Sequence, residues 1–142
     1  MKYYHGSHKR YEKELIGSNP LKIDVSKGGG ELGQGFYTTD RPWVAISWVK
    51  AKYGNNGIVC EYNFENIEGQ FYSLKCHLIR TVREVLGIYI GLRRKKLERL
   101  YKFNVDIVDS PFVSIDSVRQ NKFESKNAEF VLNQAKSRKI PI

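Results

Sequence analysis

"GGGELGQGFYTTDRPW", residues 28 to 43, combines a glycine-rich segment, a β-prone run and a helix start. Five glycines precede Phe36, and the run that follows them, Phe36 to Thr39, favours a strand. Asp40 and Pro42 then predict a helix start, since proline suits the first turn, where its missing N–H is not needed. This stretch therefore predicts loop, strand and helix in direct succession.

The glycines also exclude one common nucleotide-binding fold. Gly28, Gly30 and Gly33 match the spacing G-x-G-x-x-G. That spacing binds a pyrophosphate when a helix begins at the third glycine, and here a strand follows instead. We therefore do not expect a Rossmann dinucleotide fold.

Outward from this stretch, the residue patterns predict a chain of short elements. The helix after Pro42 ends at Gly54-Asn55-Asn56-Gly57, and "IVCEYNF" at 58–64 alternates between two faces as a strand. Together these elements predict the α+β class, with one early helix and a mid-chain helical insert. The other predicted elements are strands at 2–5, 21–26, 105–108, 112–115 and 129–132, helical segments at 11–17 and 76–103, and a basic tail at 136–142.

Composition restricts the classes of protein. The 142 residues suit a single domain, residues 1–142, and 24 Lys and Arg against 15 Asp and Glu give a net charge of +9. The longest apolar run, Val85 to Gly91, is too short to span a bilayer, so we expect a cytoplasmic protein without a membrane partner. Cys60 and Cys76 are expected to be reduced thiols.

Most of the positive charge lies in one segment. Residues 75 to 102 contain nine Lys and Arg against Glu84 and Glu98, a net charge of +7. Such a segment can form the outer face of an amphipathic helix that lies along a phosphate backbone. A solvated helix face, or a docking surface for an acidic partner protein, explains the same pattern equally well.

A metal site is a weaker hypothesis. His5, His8, Cys76 and His77 are all potential ligands. On an extended segment, however, His5 and His8 point to opposite sides, and Cys76-His77 is not a familiar ligand pair. We expect no metal cofactor.

Three separated motifs resemble the His-Tyr-Glu branch of the ADP-ribosyltransferase superfamily. They are His5-Gly6-Ser7, then "GQGFYTTD" at 33–40, then "NAEFVL" at 127–132. The resemblance covers about residues 3–64 and 126–140 and implies a split β-sheet core with an NAD cleft. It also implies that His5, Tyr37 and Glu129 form the catalytic triad.

The resemblance implies a role for each matching residue. His5 would bond the adenosine ribose of NAD+, and Tyr37 would stack on the nicotinamide, joined by Trp48 as a second aromatic. Glu129 would stabilise the oxocarbenium-like cation that forms when nicotinamide leaves. The implied NAD+ contacts are His5, Gly6, Ser7, Gly35, Phe36, Tyr37 and Trp48.

Ordinary structural roles explain these residues too. His5 would be a hydrogen-bonded structural histidine, Trp48 a core residue, and Glu129 a carboxylate at the rim of an edge strand. Asn127 stands where arginine-modifying relatives carry a second glutamate, so arginine is not supported as the acceptor.

The resemblance implies an enzyme that transfers one ADP-ribose unit from NAD+ to nucleic acid or protein. Small relatives of this kind act as toxins or effectors, which implies an antitoxin or immunity protein as partner. Two alternatives remain open, an NAD glycohydrolase with water as the acceptor and a noncatalytic nucleic-acid-binding module.

Overall fold

A computed structural model describes residues 1–115 and 117–142 of the chain. Within these residues the chain forms strands and helices in mixed order, which confirms the α+β class. The strands are β1 Lys2–His8, β2 Phe36–Thr39, β3 Gly57–Asn63, β4 Cys76–Leu78, β5 Ile107–Pro111, β6 Arg119–Phe123 and β7 Lys136–Ile140. The α-helices are α1 Glu12–Leu15, α2 Pro42–Tyr53, α3 Glu68–Tyr72, α4 Val82–Lys95 and α5 Lys126–Leu132.

The chain divides into two compact units. Unit 1 comprises Met1–Ile23, Thr38–Tyr72 and Phe130–Ile142, and unit 2 comprises Asp24–Tyr37 and Ser73–Glu129. The chain crosses between the units within β2 and again within α5.

Unit 1 is antiparallel, with β1 between β2 and β3, and β7 on the far side of β3. His5 lies opposite Cys60 on β3, and Tyr62 of β3 lies opposite Ser137 on β7. The core of this unit includes Val49 from α2 and Val59 from β3. Helix α2 thereby packs on the strand that carries the His-Gly-Ser motif.

Unit 2 contains a parallel and an antiparallel strand pair. Strand β4 runs parallel to β5, and β5 pairs antiparallel with β6. Its core joins Leu32 from the glycine-rich segment to Ile79, Val85 and Val108. The glycine-rich segment is therefore part of the packed interior of this unit.

Two predicted elements are confirmed almost to the residue. Helix α2 begins with Pro42 in its first turn, and Gly54, with φ +56°, caps its end and donates its N–H to Lys50 O. Strand β3 spans Gly57–Asn63. Both elements have strong local start, stop or alternation signals.

The prediction of a strand at 21–26 is wrong for the backbone conformation and correct for the burial of the alternating apolar residues. Leu21, Ile23 and Val25 are buried, yet the segment joins no strand. Instead, Leu21 N donates to Asn133 O at 2.9 Å and Ile23 N donates to Asn133 Oδ1 at 2.8 Å. One asparagine replaces a neighbouring strand as the acceptor.

The later predictions are corrected in four places. The helix predicted over 76–103 exists only as α4, since residues 76–78 form β4 and the helix ends at Lys95. The strand predicted at 112–115 is absent, and β5 ends at Pro111. "EFVL" at 129–132 belongs to helix α5, and most of the basic tail is strand β7.

Candidate functional site

Strand β1 carries the His-Gly-Ser motif in unit 1. The motif pairs with β3, placing Gly6 opposite Val59 and Ser7 opposite Ile58. A β-carbon on Gly6 would point at α2, so His5 and Ser7, its neighbours in an alternating strand, project from the other face of β1. His5 is half-buried.

Gly6 lies directly beneath helix α2. A β-carbon at this position would overlap Val49 Cγ2 and would lie 3.2 Å from Trp48 Cε3 and 3.3 Å from Ala45 O. The close approach of helix to strand therefore requires glycine, whatever ligand the strand binds. This packing also brings the Gly6 backbone into the neighbourhood of the Trp48 indole.

Trp48 is an exposed residue, which contradicts the alternative interpretation that it is an ordinary core residue. Its relative exposure is 47%. The indole makes an edge contact with the ring of Tyr53, at a centroid distance of 5.9 Å, and Lys52 Nζ lies 4.7 Å from its centroid. Tyr53 also contacts the imidazole of His8 at 5.4 Å. Trp48, Tyr53 and His8 thus form an aromatic cluster in unit 1.

The positive charge of Lys52 affects which ligands this aromatic cluster can bind. A cation over an indole face is attracted by the ring quadrupole, by about 0.5–1 kcal/mol at exposed sites. Lys52 already supplies a cation to Trp48. A ligand cation at this ring would therefore have to displace Lys52 or bind the opposite face of the indole.

Tyr37 lies in unit 2, where it closes the glycine-rich segment. Its hydroxyl donates to Gly33 O and accepts from Leu32 N at 3.0 Å. A β-carbon on Gly30 would lie 3.0 to 3.2 Å from atoms of the Tyr37 ring, which also packs against the core that contains Leu32. Burial raises the pKa of Tyr37 above its ordinary value. The phenol therefore has a structural role in this loop.

Gly35 and Phe36 lead from this loop into β2. Gly35 N donates to Gly28 O at 3.2 Å, and the stem of Lys122 crosses so closely that a β-carbon on Gly35 would overlap its Cγ. Phe36 is buried. Position 35 therefore requires glycine, because a side chain there would clash with β6, a strand far away in the sequence.

The last predicted residue, Glu129, occupies a helix and not the predicted strand. Ser125 caps α5 by accepting a hydrogen bond from Ala128 N at 2.9 Å. Glu129 follows Ala128 directly in the helix. Glu129 Oε1 accepts from Val25 N at 3.0 Å, and its Oε2 lies 3.4 Å from Lys126 Nζ. This carboxylate therefore fixes the backbone of Val25, which lies just before the glycine-rich segment.

A buried ion pair in unit 2 escaped the sequence analysis. Lys122 Nζ lies 2.7 Å from Glu124 Oε1, and both side chains are almost fully buried, with exposures of 0% and 1%. Lys122 Nζ also donates to Leu32 O at 2.7 Å, while the Glu124 carboxylate accepts from Phe103 N and Asn104 N. Burial lowers the pKa of Lys122.

Hydropathy gave no signal for this pair, because β6 reads "RQNKF" with no apolar alternation. The available signal was the spacing. Lys122 and Glu124 are two residues apart and would share one face of a strand that continues past Phe123.

The structure brings some predicted residues together within one unit and assigns others to different units. Gly6 lies close to Trp48 within unit 1, since a β-carbon added to Gly6 would be 3.2 Å from the indole, and Gly35, Phe36 and Tyr37 are consecutive in unit 2. His5 and Ser7 belong to unit 1, whereas Tyr37 and Glu129 belong to unit 2.

Residues 1–115 and 117–142 contain neither a metal-binding cluster nor a membrane-spanning helix. No group of three or more His, Cys, Asp or Glu there could hold a metal ion. No helix there has the length and hydropathy to cross a bilayer.

Comparison with known proteins adds no relative. No family model matches the sequence, and no significant match is found among curated proteins.

Proposed function

We propose that the chain is an NAD+-dependent ADP-ribosyltransferase that releases nicotinamide and transfers one ADP-ribose unit to a macromolecule. The proposal rests on the three motifs at His5-Gly6-Ser7, at 33–40 and at 127–132. It includes the finer fold, a split β-sheet core with an NAD cleft. It also includes action in the cytoplasm as a toxin or effector that a partner protein neutralises.

The observation that carries the proposal is the position of Trp48 next to Gly6, where an added β-carbon would lie 3.2 Å from the indole. A half-exposed indole lies beside the backbone of the His-Gly-Ser motif. Stacking and cation–π attraction at such a ring contribute about 0.5–2 kcal/mol, enough to orient a cationic nicotinamide. In the proposed pose the nicotinamide carboxamide bonds the Gly6 backbone, as the resemblance implies.

Chemistry at the sugar requires a carboxylate. Breaking the bond between nicotinamide and ribose gives an oxocarbenium-like transition state, which a nearby anion stabilises. In the proposed mechanism Glu129 supplies that anion and also accepts from the ribose 2'-hydroxyl. The ribosyl carbon then bonds the acceptor's nucleophilic atom, nicotinamide leaves with the bonding electrons, and the acceptor's proton passes to solvent.

The test compares two exposed tryptophans of the same helix. Trp48 and Trp43 both lie on α2, with exposures of 47% and 53%. We expect Trp48→Ala to lower nicotinamide release from NAD+ in the presence of cell lysate by about tenfold, since about 1.4 kcal/mol of orientation would be lost. Trp43→Ala should leave the rate unchanged, and both variants should unfold at similar denaturant concentrations.

Labelled NAD+ then identifies the product. Label attached to a macromolecule supports a transferase, whereas ADP-ribose found only free indicates an NAD glycohydrolase. No nicotinamide release with any acceptor, or an equal loss in both tryptophan variants, would refute the proposed site.

A further inference from the structure

Helix α4 and its flanking segments in unit 2 carry an exposed, largely unpaired set of cations. The nine Lys and Arg of residues 75–102 are all exposed, a fact that the sequence alone could not establish. We call them the basic surface: Lys75, Arg80, Arg83, Arg93, Arg94, Lys95, Lys96, Arg99 and Lys102. Among residues 1–115 and 117–142, Arg93 is the only one of the nine within 4.0 Å of a carboxylate, that of Glu98.

The outer side of α4 is shaped for close approach. Val85 and Leu92 are buried on one side of the helix, and the opposite side presents Arg83, Gly87 and Arg94 together with the exposed Ile90. A β-carbon on Gly87 would have no atom within 4 Å. A partner's backbone can thus approach the helix between two arginines.

Helix stability explains only part of this charge. Arg93, Arg94 and Lys95 lie in the last turn, where cations interact favourably with the helix dipole, by about 0.3–1 kcal/mol each. The other cations, such as Lys75, Arg83 and Lys102, lie outside that turn. Their concentration therefore needs a different explanation.

The exposure of all nine cations, taken with their composition, favours one of two kinds of partner. Protein–protein interfaces are depleted in lysine, whereas protein–nucleic acid interfaces are much more positively charged. Four of the nine cations are lysines, and the surface segment has a net charge of +7. Phosphate contacts need only positive charge within reach and no fixed hydrogen-bond geometry.

We infer that the basic surface binds the phosphate backbone of nucleic acid without sequence preference. This binding goes beyond the proposed transferase activity and does not depend on it, because it requires no NAD+. If both hold, nucleic acid bound here becomes the first acceptor to test in the transferase assay.

The experiment measures fluorescence anisotropy of a labelled single-stranded oligonucleotide of mixed sequence with the full chain, without NAD+, over a range of salt concentrations. The test variant carries Arg83→Gln, Arg94→Gln and Lys95→Gln. The control variant loses the same charge from exposed lysines of unit 1 that have no carboxylate partner in the described part of the chain, through Lys13→Gln, Lys22→Gln and Lys136→Gln.

We expect steep salt dependence for the natural chain and for the control. In the test variant the slope of log affinity against log salt should fall by about 2, which corresponds to about a hundredfold weaker binding near ~0.1 M salt. A second variant, Lys75→Gln with Lys102→Gln, leaves α4 intact and should show a smaller loss in the same direction.

Three results would overturn the inference. They are absence of binding at low salt, equal weakening in the test and control variants, and competition by polyglutamate as effective as that by the unlabelled oligonucleotide. The last result would indicate an acidic protein as the partner.

Discussion

Gly6 shows why a single residue can have two explanations. The resemblance implies that its backbone approaches NAD+, and the packing of α2 independently requires that it carry no β-carbon. A glycine predicted from a motif is therefore no evidence of binding by itself. The neighbouring indole of Trp48 is the more informative residue, because its exposure has no packing explanation.

Replacing Gly6 tests the packing requirement directly. Gly6→Ala forces its methyl group against Val49, and we expect a loss of about 1–3 kcal/mol in the free energy of unfolding. In a Val49→Ala background, which removes Cγ2, the same change should cost less. Urea denaturation of the four chains of this cycle measures the coupling, and strictly additive losses would contradict the proposed contact.

Tyr37 and Glu129 illustrate what was and was not predictable at single residues. The sequence predicted both as functional candidates and gave no indication of their partners. Tyr37 bonds Gly33 and Leu32, and Glu129 bonds Val25. These bonds depend on how the loop is folded, which residue types alone do not specify.

At the scale of elements, strong local signals predicted α2 and β3 correctly. Helix α4 also has a local start signal, which did not enter the prediction. "TVRE" is a capping box, and Thr81 does accept from Glu84 N at 3.2 Å. Reading that signal would have placed the start of α4 at Val82, and the preceding residues outside the helix. Ser125 caps α5 in the same way, but Ala128 stands three residues later in place of Glu or Gln, so the capping box is incomplete and the signal is weak.

Helix α4 contains two glycines that its packing does not require. Gly87 and Gly91 lie within the helix, and a β-carbon on either would have no atom within 4 Å. We expect Gly87→Ala and Gly91→Ala each to raise the free energy of unfolding by about 0.5–1 kcal/mol, since alanine loses less conformational freedom than glycine on folding.

Urea denaturation at an unchanged m-value measures this gain. Gly6→Ala is the natural comparison, because the same substitution there should destabilise. An unchanged or lowered midpoint for the two α4 variants would show that these glycines meet a structural need within the helix.

At the scale of the whole molecule, the positive charge and the proposed catalytic residues come from segments that are far apart in the sequence. The basic surface belongs to unit 2, the aromatic cluster to unit 1, and the proposed triad draws on both units. Sequence separation between His5 and Glu129 is nearly the full chain. A catalytic role for these residues therefore stays a prediction that mutation must test.

Glu129→Gln tests that role. The amide oxygen can still accept from Val25 N, and the lost pairing with the exposed Lys126 contributes only about 0.3–0.5 kcal/mol. We expect a folded chain that binds NAD+ but releases nicotinamide on the order of a hundredfold to a thousandfold more slowly. The exposed Glu68→Gln serves as the control, and full turnover in Glu129→Gln would refute the assignment.

The sequence by itself determined the α+β class, helix α2, strand β3 and the location of the positive charge. Their signals are local, since a proline start, a glycine stop and a period of two act within a few residues. The tertiary structure alone decided the helical state of "EFVL", the strand β7, the buried Lys122–Glu124 pair and the partners of the glycine-rich segment. Short apolar runs suit either state, and strands, buried charges and close backbone contacts are stabilised by residues distant in the chain.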